Sequence, residues 1–194
     1  MAKQNARVRC PWSQGVSDAY ETYHDDEWGV PARDDRLQFE FLILEGAQAG
    51  LSWSTVLHKR DGYRKAFANF DPEKVARFGK RKIESLIANP AIIRNRLKIR
   101  SAVTNAQAFL ALVEAEGSFS DYIWGFVDGE PIVNRWKQST DVPASTPVSD
   151  ALSKDLKQRG FKFVGTTIIY AHMQATGLVN DHLVGCYRYR ECSQ

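Results

Sequence analysis

Leu44-Glu45-Gly46-Ala47-Gln48-Ala49-Gly50-Leu51-Ser52-Trp53 is the stretch on which the fold turns. It follows Phe39-Glu40-Phe41-Leu42-Ile43-Leu44, one of the most apolar runs in the chain. Leu37, Phe41 and Leu44 stand at i, i+4 and i+7, the spacing of a buried helix face, and predict a helix over residues 36–44. Asp34 or Asp35 can cap its start, and Gly50 sits where a glycine ends a helix. Ser52 can cap a second helix over residues 52–67, with Leu51 and Val56 as its hydrophobic staple. Glu45 therefore lies near the end of a buried helix, just before a tight corner. Burying a carboxylate there is costly unless it is paired or used. The small residues after it leave room for close approach to the backbone. An ordinary corner with Glu45 pointing to water fits this stretch equally well.

Composition sets the frame. The chain has 194 residues, 43% hydrophobic and 25% charged, which suits one globular domain, with two helical lobes possible. No apolar run is long enough to span a bilayer, and residues 1–7 lack the apolar segment of a signal peptide. A cytoplasmic protein with no membrane partner is expected. Three cysteines are too few for a disulfide scaffold, so metal binding or free thiols explain them better.

Net charge is only +3, but it is unevenly spread. Residues 18–45 carry nine acids against Arg33 and Arg36, and residues 77–100 carry eight bases against Glu84. Lys154, Lys157, Arg159 and Lys162 form a second basic cluster opposed by Asp155. One basic run is usually a solvated helix face. Two separated clusters, each beside a helix turn, point toward a phosphate backbone.

Along the chain, residues 10–31 read as irregular and aromatic, with Tyr20 and Tyr23 sharing a face of a short helix. Asp71-Pro72-Glu73 starts a helix carrying Val75, Phe78 and Ile83, which Asn89-Pro90 ends. Residues 97–112 form another helix and residues 119–124 a short one, with a turn at Asp128-Gly129. Residues 130–147 show no period and read as a long surface loop. Ser149 caps a helix to Arg159, and a last long helix covers residues 166–176. Strand-like alternation is nearly absent, so the expected class is all-α.

Three constellations could carry chemistry. Gly160 and Gly165 bracket a turn holding Lys162, and the helix that follows adds its positive end, a combination that binds phosphate without reading sequence. Such turns are also common in purely structural helix pairs. His182 and Cys186, four apart, together with Cys10 and His24, offer two nitrogens and two thiolates suited to tetrahedral zinc. Spacing alone favours ordinary buried side chains, and Cys192 rivals the fourth ligand. Finally, Tyr20, Tyr23, Trp28 and Trp53 could stack on a flat ring, although most aromatics are core. Glu45 among them would select a flat ring that is positively charged.

Together, Tyr23-His24-Asp25-Asp26-Glu27-Trp28-Gly29, residues 44–53, Ile93-Arg94-Asn95-Arg96-Leu97-Lys98-Ile99, Arg159-Gly160-Phe161-Lys162-Phe163-Val164-Gly165-Thr166-Thr167 and Gly177-Leu178-Val179-Asn180-Asp181-His182 resemble the 3-methyladenine DNA glycosylase I family of the helix-hairpin-helix superfamily. The resemblance runs from Cys10 to about Cys186. It implies a helix-hairpin-helix fold whose termini are clamped by structural zinc on Cys10, His24, His182 and Cys186. It implies Glu45 as the acidic residue of the base pocket, Tyr23 and Trp53 contacting the base, and Tyr20 and Trp12 nearby. Gln48, Gly50 and Leu51 would probe the DNA where the nucleotide leaves, and Gly160, Lys162 and Gly165 would belong to the phosphate-gripping hairpin. The implied activity is base-excision repair: a monomeric enzyme flips 3-methyladenine out of alkylated double-stranded DNA and releases the free base. A catalytic aspartate, usual after the hairpin elsewhere in the superfamily, is not implied, so Asp181 carries no role by position. Readings that stay open are an all-α glycosylase for another purine lesion and a non-catalytic, zinc-stitched DNA-binding module.

Overall fold

The computed structural model describes residues 7–193. Residues 1–6, most of the segment expected to hold no leader, lie outside the described residues. The chain runs through helices α1 (Asp18–Asp26), α2 (Asp35–Gln48), α3 (Trp53–Leu57), α4 (Arg60–Ala66), α5 (Pro72–Ala76), α6 (Lys80–Ala88), α7 (Arg96–Glu116), α8 (Phe119–Trp124), α9 (Pro147–Gln158), α10 (Thr166–Ala175) and α11 (Arg188–Glu191). Two short strands, β1 (Ile132–Val133) and β2 (Val179–Asn180), pair in parallel. The expected helical class holds, with this small sheet as an addition. Among the described residues no helix is long and apolar enough to cross a membrane.

α2 is the centre. Asp34 caps it by accepting from the Leu37 N–H, and every residue from Gln38 to Ala47 is buried. α7, α8, α10 and α3 surround it. A helix enclosed on all sides must account for each polar side chain it carries. Gln38 donates to the Ala32 carbonyl at 2.7 Å. Glu40 accepts from Arg60 at 2.6 Å and Arg64 at 2.9 Å, and Arg60 also binds Glu27. Glu45 finds no hydrogen-bond partner among the described residues. The helix runs four residues past the expected end, so Gly46 is helical, and Gly50 (φ +78°) turns the chain after it.

Several expected boundaries move. The helix expected over 52–67 divides into α3 and α4 at Lys59, which leaves helical geometry at φ −103° and ψ 0° and whose N–H turns back to the Val56 carbonyl at 2.9 Å. Ser52 does cap α3, accepting from Thr55 N. The helix begun by Asp71 ends at Ala76; Gly79, extended at φ −80° and ψ 178°, starts α6 afresh. The cap of α9 is Thr146, three residues before the expected Ser149. Ser149 instead completes a capping box with it, each side chain accepting from the other's backbone N–H. The short helix expected to carry Tyr20 and Tyr23 is α1, preceded by a 3-10 turn at Pro11–Ser13, while loop 130–147 contains β1 and another such turn at Ser139–Asp141. β1 forms by pairing with β2, far along the chain, which local periodicity does not register.

Candidate active site

The C-terminal half of α2 opens onto a cavity of about 380 Å³. Trp12, Tyr20, Tyr23, Glu45, Gln48 and Trp53 all line it, so side chains expected to share a site do share one. α1 places Tyr20 and Tyr23 on the cavity side, and the turn at residues 11–13 brings Trp12 edge-on to Tyr20, with ring centres 5.4 Å apart. Tyr23 and Trp53 lie 5.2 Å apart at an angle of 46°, and Trp12 meets Trp28 at 5.0 Å. These are edge and tilted arrangements, so the aromatic side chains are not stacked flat on one another. The indole N–H of Trp53 is buried without a partner.

Glu45 is 4% exposed and, like the Trp53 indole, has no hydrogen-bond partner among the described residues; burial pushes its carboxyl up to about 8. At neutral pH the free protein therefore holds it mostly protonated. A cation entering the cavity would favour the ionised form and pull this value down.

Sequence reasoning missed much of the rest of the wall. Tyr170 and Gln174 of α10, Asp181, and Val142, Pro143 and Ala144 of the loop read as surface also line the cavity. Asp181 is buried and accepts from Asn134 at 2.8 Å, Trp136 Nε1 at 2.7 Å, the Tyr170 hydroxyl at 2.6 Å and Gln174 at 2.8 Å. The loop is therefore tied to α10 through one carboxylate. A local signal did exist in Trp136, the single aromatic side chain of residues 130–147.

Gln48, Gly50 and Leu51 line a second, adjoining cavity of about 310 Å³ with Glu45, Thr167, Ile168 and Ala171. Leu51 is 43% exposed at the corner. The turn between α9 and α10 brings Gly160 (φ +94°), Lys162 and Gly165 together, and Gly165 is the N-cap of α10. A β-carbon at Gly160 or Gly165 would meet nothing within 4 Å, so this edge is open. Lys162 lines a groove of about 420 Å³ with Leu97 and Arg100.

Cys10, His24, His182 and Cys186 are all buried, with their ligand atoms within 4.8 Å of one another. Cys10 Sγ lies 3.7 Å from His182 Nδ1, and Cys186 Sγ lies 3.4 Å from His24 Nε2 and 3.6 Å from His182 Nδ1. Metal–sulfur and metal–nitrogen bonds of about 2.3 and 2.0 Å at a tetrahedral angle give an edge of about 3.5 Å, so the donor set fits one tetrahedral ion. The outer nitrogens are held too: His24 Nδ1 against Asp25 at 2.8 Å and His182 Nε2 against the Trp28 carbonyl at 2.9 Å. Such contacts orient metal-binding imidazoles. Cys192, the rival ligand, is buried but outside this group.

This chain belongs to the methyladenine glycosylase family, whose model matches residues 12–189. Among its relatives, DNA-3-methyladenine glycosylase 1 of Escherichia coli (strain K12) is 51% identical over 181 residues, spanning 93% of this chain and 96% of its own. A crystal structure of a 3-methyladenine DNA glycosylase I superposes with a TM-score of 0.90 at 52% identity, covering 93% of this chain and 98% of the other. A single-residue variant of a 3-methyladenine DNA glycosylase I, crystallised in complex with 3-methyladenine, matches with a TM-score of 0.87 at 37% identity over 92% of this chain and 94% of the other.

Proposed function

We propose that this protein is a monofunctional DNA-3-methyladenine glycosylase of base-excision repair, hydrolysing the N-glycosidic bond of 3-methyladenine in alkylated double-stranded DNA. The observation that carries the reading is Glu45: a buried, partnerless carboxylate in an aromatic cavity sized for a small ligand. The relatives named above, one of them bound to 3-methyladenine, support it. One hydrophobic cluster spanning α1 to β2 supports a single glycosylase domain.

N3-methylation makes the adenine of a nucleotide cationic and hence a ready leaving group. The protein need not protonate it. The nucleotide leaves the stack at a cost of roughly a few kcal/mol, less for a damaged pair. Gln48, Gly50 and Leu51 then probe the gap, while Gly160, Lys162 and Gly165 grip phosphate as the hairpin of a helix-hairpin-helix. Tyr23 and Trp53 contact the ring, with Tyr20 and Trp12 closing the cage. The cation favours the ionised form of Glu45, whose proton passes to solvent, and the resulting ion pair selects the methylated base over neutral adenine. Water attacks the sugar carbon and gives up a proton to solvent, the glycosidic bond breaks, and its electron pair leaves with the base, neutralising it. No lysine stands among the residues lining the base cavity to form a Schiff base, so the strand stays uncut.

Cys10, His24, His182 and Cys186 hold structural zinc, which supplies a cross-link and no chemistry. DNA as substrate and bacterial relatives support the cytoplasm as the place of work. Methylated DNA incubated with the pure protein should release free 3-methyladenine and leave abasic sites. DNA binding without base release would overturn the reading in favour of a binding module.

A further inference from the structure

α7 touches both surfaces that the proposed function turns toward DNA. Near its start, the Lys98 ammonium donates to the carbonyls of Ala47 at 2.7 Å and Ala49 at 2.6 Å. These oxygens end α2, where no helical N–H can reach them, and a cation there complements the negative end of the helix dipole. Seven residues on, buried Asn105 grips the hairpin backbone twice. Its amide donates to the Lys162 carbonyl at 2.9 Å and its oxygen accepts from the Lys162 N–H at 2.8 Å. Positions i and i+7 share one helix face, about 10.5 Å apart along the axis.

α2 and the hairpin also meet directly. A β-carbon on Gly46 would lie 3.3 Å from Cβ of Phe163, so glycine is what lets the hairpin come so close beside Glu45. Phe163 itself sits at φ +54°, a left-handed conformation that costs a bulky residue energy and persists only where the surroundings impose it. Two clamps from α7 and one close contact thus hold these elements together.

We infer that Lys98 and Asn105 are positioning residues, and that α7 is a rigid spacer fixing the distance between the hairpin and the 48–51 corner. The inference rests on the proposed function, which makes those two surfaces the DNA-facing ones. A phosphate grip promotes extrusion only if the probing corner stands at a set distance from it, and an error of about 1 Å can cost a hundredfold in rate. Neither side chain lines the base cavity, so the free base should not sense their loss.

The test uses the full-length protein with Lys98→Met, Asn105→Ala, both together, and Lys98→Arg, each assayed well below its melting temperature. Three quantities are read: affinity for free 3-methyladenine, melting temperature, and single-turnover excision from methylated duplex at saturating enzyme. Free-base affinity should stay within about twofold while excision falls about tenfold in each single variant, and Lys98→Arg should recover most of it. The double variant should fall about tenfold rather than a hundredfold, because either break loosens the same spacing, whereas independent sites multiply. Full excision by melting-destabilised variants, a multiplicative double variant, or a matching loss of free-base affinity would each overturn the inference alone. Absence of excision by the unmodified protein would overturn the proposed function and this inference with it.

Discussion

Two carboxylates line the same cavity under opposite arrangements. Asp181 accepts from four side chains drawn from the 130–147 loop and α10. Glu45, equally enclosed, accepts from none, and its carboxyl is driven up to about 8. A carboxylate with its acceptor sites filled has little left to offer a ligand, and it fixes the groups around it. One with empty sites costs stability until something charged arrives. The difference separates the wall of the site from its reactive face without reference to chain position.

The strongest way to break this comparison is to remove the wall's anchor. His182 follows Asp181 directly, so a metal held by Cys10, His24, His182 and Cys186 would set where that carboxylate stands. Cys186→Ala should abolish metal binding and cost several kcal/mol, since structural zinc contributes roughly 10 kcal/mol or more to folding in small metal sites. Cys192→Ala should keep about one equivalent of zinc. Metal analysis with thermal melts checks both, and metal lost from Cys192→Ala but kept by Cys10→Ala would give the wrong ligand set.

Asp181→Asn comes next. The amide cannot accept from all four donors, and its own N–H₂ meets one of them head on, so a loss of about 2–4 kcal/mol is expected. Excision should fall with the displaced Tyr170 and Gln174. A variant as stable as the parent would mean that the donors are satisfied elsewhere.

Glu45→Gln should act in the opposite direction on stability. The folded protein holds the Glu45 proton up to about pH 8, whereas an unfolded glutamate releases it near 4.5. Between those values the native state binds more protons, so stability falls as pH rises, by about 1.4 kcal/mol per pH unit. Below 4.5 this cost is absent, and above 8 it is constant. The glutamine variant lacks it and should gain in melting temperature relative to the parent from pH 4.5 up to 8. Excision should meanwhile drop about tenfold to a hundredfold, the scale of one charge-assisted hydrogen bond of roughly 1.5–3 kcal/mol. Full activity in a less stable protein would remove Glu45 from the pocket chemistry.

Lys162→Ala gives the smallest effect. Binding to unrelated duplex sequences should weaken about equally, and the salt slope should flatten by roughly one unit or less. An unaltered slope, measured by titration at several salt concentrations, would take the hairpin away from the DNA.

What could be read in advance follows a physical divide. Glu45, Tyr20 and Tyr23 were legible because helical spacing puts a residue on a face and composition marks an acid there as anomalous. Gly50, at φ +78°, was legible as a helix end because few other residues adopt that geometry. Asp181 was not, since its role depends on Asn134 and Trp136, 47 and 45 positions away, and no periodicity records such a pairing. The split of 52–67 escaped as well: the backbone leaves helical geometry at Lys59, a residue type that carries no signal of a break. Spacing likewise could not choose between Cys186 and Cys192, which only the meeting of distant segments decides.

That meeting has a consequence for how the molecule is made. His24 and Cys186 are 162 positions apart. Closing so large a loop restricts the chain by about 5 kcal/mol of entropy, if a metal bridge acts as a disulfide does. At about 5–20 residues per second, a ribosome delivers the last donor roughly 8 to 32 s after the second. If the four side chains hold a metal, Cys10 and His24 supply half of its donors through that interval, and the cavity lacks Asp181 for most of it. The last donor, Cys186, and the last of the cavity wall, Asp181 and Leu183, then arrive a few residues apart, late in synthesis.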